Sequence, residues 1–430
     1  METIQRDTKT TFLAPFEDFE GSLDLGQARE QALERIAELD FPTTRDEEWR
    51  YLNLRTLLQV PFQLSNAATD CPRPSQWFDA LDVYVMTFVN GYFWPVYSRL
   101  PDSSNSLVIK TLQEAVQEQH PLIGQHLNRY TAPNENIFTH LNTAFAQDGL
   151  FLHLSKSATL DRPLVVHHLI DAQAEARAIL PRHLIVLDDN ASGQILEQVT
   201  TIGEQPSWSN ALTEIVVGRD ARLDFHKLQH DSASAYQINQ TFVEQADNCS
   251  FADNCFSFSG KLIRNNLYLG LGAHNDSYMN GFFLLDGRSI VDNHTAVDHR
   301  LPHSRSDEMY KGILDEQSTG VFNGKIFVRQ DAQKTNAFQS NANMLLSDQA
   351  TIDTKPQLEI WADDVRCSHG ATTGAMDTEQ LFYLRARGIP ERQAKGLLLR
   401  AFVAEVLERL RWDDLRHELE TRIEARLNNA

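Results

Sequence analysis

The stretch from residue 150 to residue 376 constrains the fold most, because it is a succession of short β-rich runs without a helical period. A polar pair followed by a small residue recurs along it, and the small residues are Ala191, Ala221, Cys249, Ser318 and Ala350. Three of the four intervals are close to about 30 residues, a period that is typical of β-helix coils made of several short strands. We therefore predict a mainly β fold with a β-helix core over 150–376.

Some features of this stretch leave alternatives open. A β-sandwich also has turns, about every 8–12 residues, but it lacks a longer period. The long interval between Cys249 and Ser318 has room for a further unit, and the turn-forming sequence at 286–289 is the candidate. Two asparagine pairs fit side-chain ladders between stacked coils and also fit plain turns. They are Asn265 with Asn266, and Asn341 with Asn343.

Residues 1–149 are predicted to form a mixed, mostly helical N-terminal domain with one β-hairpin. Its helices are expected at 27–39, at 44–58, and at 135–147 with Gly149 near the C-terminal cap. The hairpin is expected where β-branched and aromatic residues flank Asn90-Gly91, since a type I′ turn needs positive φ at both central residues.

Residues 377–430 are predicted to form a C-terminal helical domain. Asp377 is placed to cap its first helix, and Gly388 to end that helix. This segment contains ten Lys or Arg and ten Asp or Glu, so it is neutral. The net charge of −20 therefore lies in residues 1–376, and a neutral, apolar-striped segment on an acidic body could serve a partner.

The charge and the cysteines exclude several classes of protein. A charge of −20 repels phosphate backbones, so we expect no nucleic-acid partner. Four cysteines without a CxxC spacing argue against a disulfide scaffold and favour a reducing compartment. The first ten residues contain no apolar signal-peptide core, and no run approaches about 18 apolar residues. We therefore predict a cytoplasmic protein without a membrane span.

Nucleotide-binding and hydrolase motifs are absent from the sequence, and the lysine of Asn323-Gly324-Lys325 lacks the flanking residues of a phosphate loop. We therefore expect no ATP hydrolysis by this chain. A cluster of ionisable residues could hold a metal or could be polar side chains of an external loop. It contains Asp292, His294, Asp298, His299 and His303.

A second candidate site is the pair Cys367 and His369. On a strand, residues two apart project to the same face, so the thiol and the imidazole would be neighbours. A nearby imidazolium or guanidinium stabilises the thiolate, which is the form that binds metal or attacks sulfur. The alternative is that Cys367 is a small buried hydrophobe and His369 a hydrogen-bonded core residue.

The sequence around this pair resembles a known family. The segments DTKPQLEIWADDVRCSHGATTG at 353–374 and LFYLRARGI at 381–389 resemble the SufB/SufD family of iron–sulfur cluster assembly scaffolds. Shorter matches lie at 46–50, 88–91, 321–326 and 333–335. Within the family, the chain length, the Asn-Gly hairpin and the segment 141–149 are more similar to the SufD branch than to SufB.

The resemblance implies a helical N-terminal domain, a right-handed parallel β-helix and a C-terminal helical domain. It implies a non-enzymatic scaffold subunit that forms a heterodimer with SufB, a possible homodimer when alone, and a transient iron–sulfur cluster in the complex rather than a stably bound cofactor. His369 and Cys367 then lie at the junction with SufB as tentative metal ligands. The ATPase SufC is expected to dock on Leu381, Phe382, Tyr383, Leu384, Arg385, Arg387, Gly388 and Ile389.

Two other functions remain open from the sequence. The chain could be a SufB-like scaffold that accepts sulfur on Cys367 as a persulfide. It could also be a β-helix polysaccharide lyase or hydrolase, which needs clustered carboxylates beside Lys or Arg in a groove of the coil face. The histidines His294, His299 and His303 lie outside the family pattern, so the resemblance implies no role for them.

Overall fold

The computed structural model describes residues 2–17, 19, 23–65, 71–102 and 104–429. Its α-helices are α1 (Glu2–Leu13), α2 (Gln27–Glu38), α3 (Arg55–Leu58), α4 (Leu112–Gln117), α5 (Pro121–His126), α6 (Ile137–Phe145), α7 (Thr378–Ala386), α8 (Glu391–Leu407) and α9 (Asp413–Asn429). Short 3-10 helices lie at Ala14–Phe16, Glu47–Trp49, Trp77–Ala80, Pro95–Tyr97 and Ala132–Asn134.

The strands before and at the start of the solenoid are β1 (Gln63–Leu64), β2 (Tyr84–Val89), β3 (Tyr92–Phe93), β4 (Leu107–Thr111), β5 (Leu150–Leu154), β6 (Leu164–Asp171), β7 (Arg177–Ile179) and β8 (Arg182–Leu187). The long strands follow as β9 (Ser192–Ile202), β10 (Ser207–Val217), β11 (Arg222–His230), β12 (Ala235–Gln245), β13 (Ser250–Ser259), β14 (Leu262–Leu271), β15 (Asp276–Leu285), β16 (Ile290–His299), β17 (Arg305–Leu314), β18 (Thr319–Val328), β19 (Asn336–Leu345), β20 (Thr351–Ile360) and β21 (Arg366–Ala375).

The core is a parallel β-solenoid made of two sheets. Sheet A has the order β4-β5-β8-β10-β12-β14-β16-β18-β20, and sheet B has the order β3-β2-β6-β9-β11-β13-β15-β17-β19-β21. In sheet B one register column joins Arg222, Ser250, Asp276, Arg305, Asn336 and Arg366, so each coil takes about 30 residues. Residues 150–376 are all described and contain no helix. The β-helix prediction is confirmed, and the β-sandwich is excluded.

The recurring sequence motif proves to mark two different corners of the solenoid. Ala191, Ala221 and Cys249 precede strands of sheet B, whereas Ser318 and Ala350 precede strands of sheet A. The interval between Cys249 and Ser318 is therefore long because it joins unlike corners, and residues 286–289 form the corner before β16. The corners before β9, β11, β13, β15, β17 and β19 each have one residue with positive φ, whose backbone N–H donates to the next coil. These are Asn190, Asp220, Asn248, His274, His303 and Lys334.

Two local predictions in the N-terminal region are confirmed. The hairpin forms between β2 and β3, with φ values of 50° at Asn90 and 90° at Gly91. Helix α2 lies where the apolar periodicity placed it.

Two other local predictions are wrong. The expected helix at 44–58 is reduced to a 3-10 turn at Glu47–Trp49 and the short α3, because Trp49 packs on the solenoid with its ring 3.8 Å from the Arg264 guanidinium. Gly149 does not cap α6, which ends at Phe145. A Cβ at Gly149 would lie 1.8 Å from the Arg182 carbonyl oxygen, so glycine is needed for the approach of the two segments.

The solenoid interior combines an apolar core with polar ladders. The Asn239 side-chain amide donates to Asn265 Oδ1 over 3.0 Å, and the Asn265 amide donates to Asn293 Oδ1 over 2.9 Å. Asn341 and Asn343 are buried in β19 and hydrogen-bond to each other. The side-chain ladder interpretation is therefore right for Asn265, and Asn341 and Asn343 lie in a strand rather than in a turn.

The C-terminal helices lie against sheet B. The Asp377 carboxylate caps α7 by accepting from the backbone N–H groups of Glu379 and Gln380, and Gly388 follows with a φ of 86°. Helices α8 and α9 bury one face, which contains Leu399, Val403, Val406, Leu407, Leu415, Leu419 and Ile423. The division into domains at 1–149, 150–376 and 377–430 stays a prediction. Among the described residues, no helix is both long and apolar enough to cross a membrane.

Candidate functional site

The last coil of the solenoid is its least covered part. β20 pairs with β18 on one side and β21 with β19 on one side, and no described strand covers either outer edge. Most residues of β21 are exposed, whereas most residues of β13, in the middle of sheet B, are buried. The coil also exposes Trp361, at 49% of its surface. An uncovered edge of this length is a template for pairing with another chain.

The backbone of the two edge strands differs in what it offers to a partner. The N–H of Arg366 donates to Thr335 on the β19 side, so alternate residues of β21 direct their N–H groups outward. These outward residues are Cys367, His369, Ala371, Thr373 and Ala375. By the same alternation in β20, the outward positions include Pro356, which has no N–H. β21 is therefore the strand better able to extend its sheet.

The predicted pair Cys367 and His369 lies on β21, two residues apart. Their register partners Ala337 and Gln339 are buried in β19, so both side chains lie on the interior face of the last coil. Cys367 packs against the core, and burial raises the pKa of its thiol. His369 is exposed at the open end. The isolated chain thus favours the thiol form of Cys367 and leaves the imidazole of His369 accessible.

The predicted docking segment 381–389 lies on α7 and the turn after it. No residue of α7 is buried, and the two aromatic side chains Phe382 and Tyr383 are 73% and 57% exposed. The Arg387 guanidinium lies 5.0 Å from the centre of the Tyr383 ring. This segment therefore presents an apolar and cationic surface, which we call the α7 face.

His294 lies in a groove of about 880 Å³ on the outer face of sheet A. Its ring nitrogens face two carboxylates, Asp292 at 2.9 Å and Glu48 at 3.5 Å. Hydrogen bonding to His294 is the main cause that lowers the pKa of Glu48, to about 2. The carboxylates that line the groove are all ion-paired: Glu48 with Lys325, Glu244 with Arg300, and Asp298 with Arg300 and Arg329.

The other two histidines of the predicted cluster lie elsewhere. His299 is buried in the solenoid, where it hydrogen-bonds to Ser306 over 2.8 Å, and burial lowers its pKa to about 4. His303 occupies a corner with a φ of 67°, and its ring stacks on His274 at 4.8 Å. The fold therefore separates His294, His299 and His303 instead of joining them in one metal site.

A metal-ligand group that the sequence analysis missed lies inside the solenoid. Within the described part of the chain, His168, His183 and Glu197 bring their ligand atoms within 4.8 Å of one another. The Leu150 N–H donates to His183 Nδ1 over 2.8 Å, so the proton of neutral His183 lies on Nε2, which faces His168 Nε2 at 3.3 Å. A metal bound at His183 Nε2 would require the ring proton to sit on Nδ1 instead, where it would face the Leu150 N–H. The geometry therefore favours a histidine–histidine hydrogen bond over metal ligation.

Two interior carboxyl groups were also missed. Burial raises the pKa of Asp253 and of Glu308, each to about 7. Glu308 accepts from the Thr295 hydroxyl and from the Gln339 amide, each over 2.6 Å. The sequence contained a signal for these buried polar groups, because Glu308 and Gln339 occupy interior positions of strands, where an apolar residue is the norm.

Comparison with known proteins identifies the family. The family model of the SUF system FeS cluster assembly, SufBD core domain, matches residues 168–402. A second model, the SufBD protein N-terminal region, matches residues 20–166. The chain belongs to the SufBD family.

Three of the relatives span nearly the whole chain. An iron–sulfur cluster assembly SufBD family protein of Synechocystis is 30% identical over 89% of this chain and 86% of its own length. The iron–sulfur cluster assembly protein SufD of Escherichia coli is 29% identical over 95% of this chain and 94% of its own. A chloroplastic Arabidopsis protein, ABCI7, is 26% identical over 94% and 87%. The resemblance to SufB/SufD scaffolds is confirmed, and the SufBD family assembles iron–sulfur clusters.

Proposed function

We propose that this SufBD family chain is a non-enzymatic scaffold subunit that pairs through β21 with a SufB chain and holds a nascent iron–sulfur cluster at their junction. The observation that carries the proposal is the uncovered edge of β21, with His369 exposed on it. The cluster is cargo and passes through the complex, so the chain alone needs no stably bound cofactor.

The pairing rests on the backbone of β21. Its five outward residues can donate N–H groups to a second strand, and β-augmentation of this kind supplies affinity through main-chain hydrogen bonds. In the isolated chain the same edge could pair with a second copy of itself, which would give the homodimer. A SufB strand would then replace that copy.

The chemistry at the junction is assigned mainly to His369. An exposed neutral imidazole is an ordinary ligand of iron. Cys367 is the second candidate, because its thiol is half-buried and its pKa is raised, which disfavours the thiolate needed for metal ligation or sulfur attack. The same argument makes a SufB-like sulfur acceptor the less favoured alternative.

The polysaccharide lyase or hydrolase alternative is disfavoured by two observations. The carboxylates lining the groove of sheet A are engaged in ion pairs, which leaves none of them free as a base. The family matches also point to cluster assembly rather than to carbohydrate chemistry.

The ATPase SufC is proposed to dock on the α7 face. Exposed aromatic side chains beside a cation are enriched in protein interfaces. Replacing Phe382 and Tyr383 by Ser should weaken capture of SufC by the full-length chain without changing its fold. Val96, which is 79% exposed near the opposite end, provides the control Val96→Ser. Equal capture by the α7 variant and the control would refute this docking surface.

The central experiment uses the complex co-expressed with SufB and SufC. Ala371→Pro removes one outward N–H of β21 and should reduce the amount of SufB that copurifies, whereas Ala371→Val keeps the N–H and should not. His369→Ala should leave partner stoichiometry intact and sharply lower the visible absorbance of the cluster. Normal cluster content in His369→Ala with full stoichiometry would refute the role of His369.

A further inference from the structure

His369 stands at the end of a polar column in the solenoid interior. In sheet B, Glu308 of β17 is in register with Gln339 of β19, and Gln339 is in register with His369 of β21. In-register neighbours of a parallel sheet lie about 4.8 Å apart and share a face. Glu308 and Gln339 are 1% and 3% exposed, so the column runs from the buried interior to the open end.

The amide of Gln339 is oriented by the residue beneath it. Its Nε2 donates to Glu308 Oε2 over 2.6 Å, and Glu308 Oε1 accepts from the Thr295 hydroxyl over 2.6 Å. Above its pKa of about 7 Glu308 is ionised and only accepts hydrogen bonds, so at pH 8 it holds the amide with its nitrogen toward Glu308 and its oxygen away. Gln339 Oε1 is buried and has no hydrogen-bond partner in the described part of the chain.

Gly324 makes this arrangement possible. A Cβ at that position would lie 1.9 Å from Gln339 Nε2, so the amide occupies the space that a side chain would take. Strand β18, in the facing sheet A, thus leaves room for Gln339 to reach Glu308.

We propose that Gln339 is a positioning residue for His369, whose ring N–H donates to Gln339 Oε1. The proposal deepens the proposed function and rests on it for the role of His369. A donated N–H fixes one tautomer of the neutral imidazole and leaves the other ring nitrogen with a free lone pair. Histidines that bind metals are commonly oriented in this way by a partner on the other nitrogen. A chain of hydrogen bonds then orients the side chains one after another, from Thr295 and Glu308 in the core, through Gln339, to His369 at the open end.

The test begins with the tautomer of His369 in the full-length chain. Long-range proton–nitrogen spectra of histidine-labelled protein are recorded at pH 8, and His369 is assigned by the signals lost in His369→Ala. One ring nitrogen should show the shift of a protonated atom and the other that of a bare atom. In Gln339→Met, which has a similar volume and no acceptor, the two shifts should move toward a common average. Unchanged shifts in Gln339→Met would overturn the proposal.

A matched control separates positioning from packing. Glu308→Gln keeps an acceptor for the Gln339 amide and should retain the fixed tautomer, whereas Glu308→Leu should lose it. Thermal unfolding and far-ultraviolet circular dichroism of each variant establish that the fold is intact. If Glu308→Gln lost the fixed tautomer to the same degree as Glu308→Leu, the proposal that an acceptor at position 308 orients Gln339 would be overturned.

The second readout is cluster content in the complex co-expressed with SufB and SufC. Gln339→Met should lower it about tenfold, the lower range for removing an outer partner of a metal ligand. The double variant with His369→Ala should be no lower than His369→Ala alone. An additive loss would overturn the positioning role. Normal content in His369→Ala would instead refute the proposed function, while the tautomer measurement would still test the contact.

Discussion

The coils near the two ends of the solenoid differ in what lies over them. Near the N-terminal end, described helices and loops of the N-terminal region cover the outer face of sheet A, and Trp208 of β10 is completely buried among aromatic side chains there. At the C-terminal end, β20 and β21 have uncovered edges, and Trp361 is 49% exposed. The same repeating architecture is therefore covered by packed side chains near its N-terminal end, which we call the sealed end, and presents a surface that can still form hydrogen bonds at its C-terminal end, the open end.

The sealed end is held by buried charge as well as by apolar packing. Glu214 is fully buried, pairs with Arg182 at 2.7 Å and accepts the backbone N–H groups of Asn128, Arg129 and Tyr130. Such a carboxylate fixes the covering loop to sheet A. At the open end, the ion pair that joins β20 to the N-terminal region, Lys355 with Glu47, has a largely exposed carboxylate. The chain therefore stabilises the sealed end more strongly and leaves the edges of the open end available to a partner.

The largest expected effect is at the sealed end. Glu214→Ala should lower the free energy of unfolding by about 3–5 kcal/mol, because it leaves a buried guanidinium without its counter-ion. Chemical denaturation measures the change. Glu118→Ala is the control, because it removes a carboxylate that is 56% exposed and pairs with Lys110, and it should cost less than about 1 kcal/mol. Equal losses in the two variants would show that the burial of Glu214 does not set its contribution to stability.

The next effect concerns the interior just below the open end. The folded-state pKa of Glu308, about 7, lies above its ordinary value of 4.5, so protonation favours the folded chain and this contribution is lost as pH rises through 7. Glu308→Gln cannot ionise. The free energy of unfolding of Glu308→Gln minus that of the wild type should therefore rise between pH 5 and pH 8, by on the order of 2 kcal/mol.

Denaturation series at several pH values, run on both proteins in parallel, measure this difference. Because the comparison is differential, buried histidines with lowered pKa, such as His299, cancel out. A difference that stays constant with pH would mean that Glu308 does not titrate in this range.

A smaller effect is expected on the last coil. Trp361 lies over the Arg329 guanidinium at 5.1 Å and is half exposed. Trp361→Ala should cost the isolated chain about 1 kcal/mol, since only part of the ring is removed from water. If the open end is an interface, the same variant should weaken copurification with SufB more than it weakens the fold. Trp208→Ala, at the sealed end, should instead cost about 3–5 kcal/mol of stability.

The smallest effect is expected on the α7 face. Phe382 is 73% exposed, so Phe382→Ser should change the free energy of unfolding by less than about 0.5 kcal/mol. Thermal unfolding of the isolated chain measures it. A loss as large as that of a buried aromatic side chain would show that Phe382 packs against the chain itself and is not available to a partner.

Much of the fold could be predicted from the sequence because the relevant interactions are local. The period of about 30 residues repeats a corner of the solenoid, and Asn90-Gly91 forms a turn whose φ values few other dipeptides adopt. The cap at Asp377 follows from hydrogen bonds to the next turn of the chain. The prediction of a helix at 44–58 was wrong because Trp49 contacts Arg264, which is distant in the chain, and no local pattern records that contact.

The candidate site, like the fold, could be predicted from the sequence only in part. Local sequence was enough to locate the strand that contains Cys367 and His369, the neutral C-terminal segment and the family motif around them. The folded chain was needed to show that β21 is left as an edge, that His294, His299 and His303 are separated, and that Gln339 lies beneath His369. Register between coils depends on the length of every coil, and these lengths vary along the solenoid. A residue's neighbours across a parallel sheet are therefore set by the whole stack and not by the residues beside it in the chain.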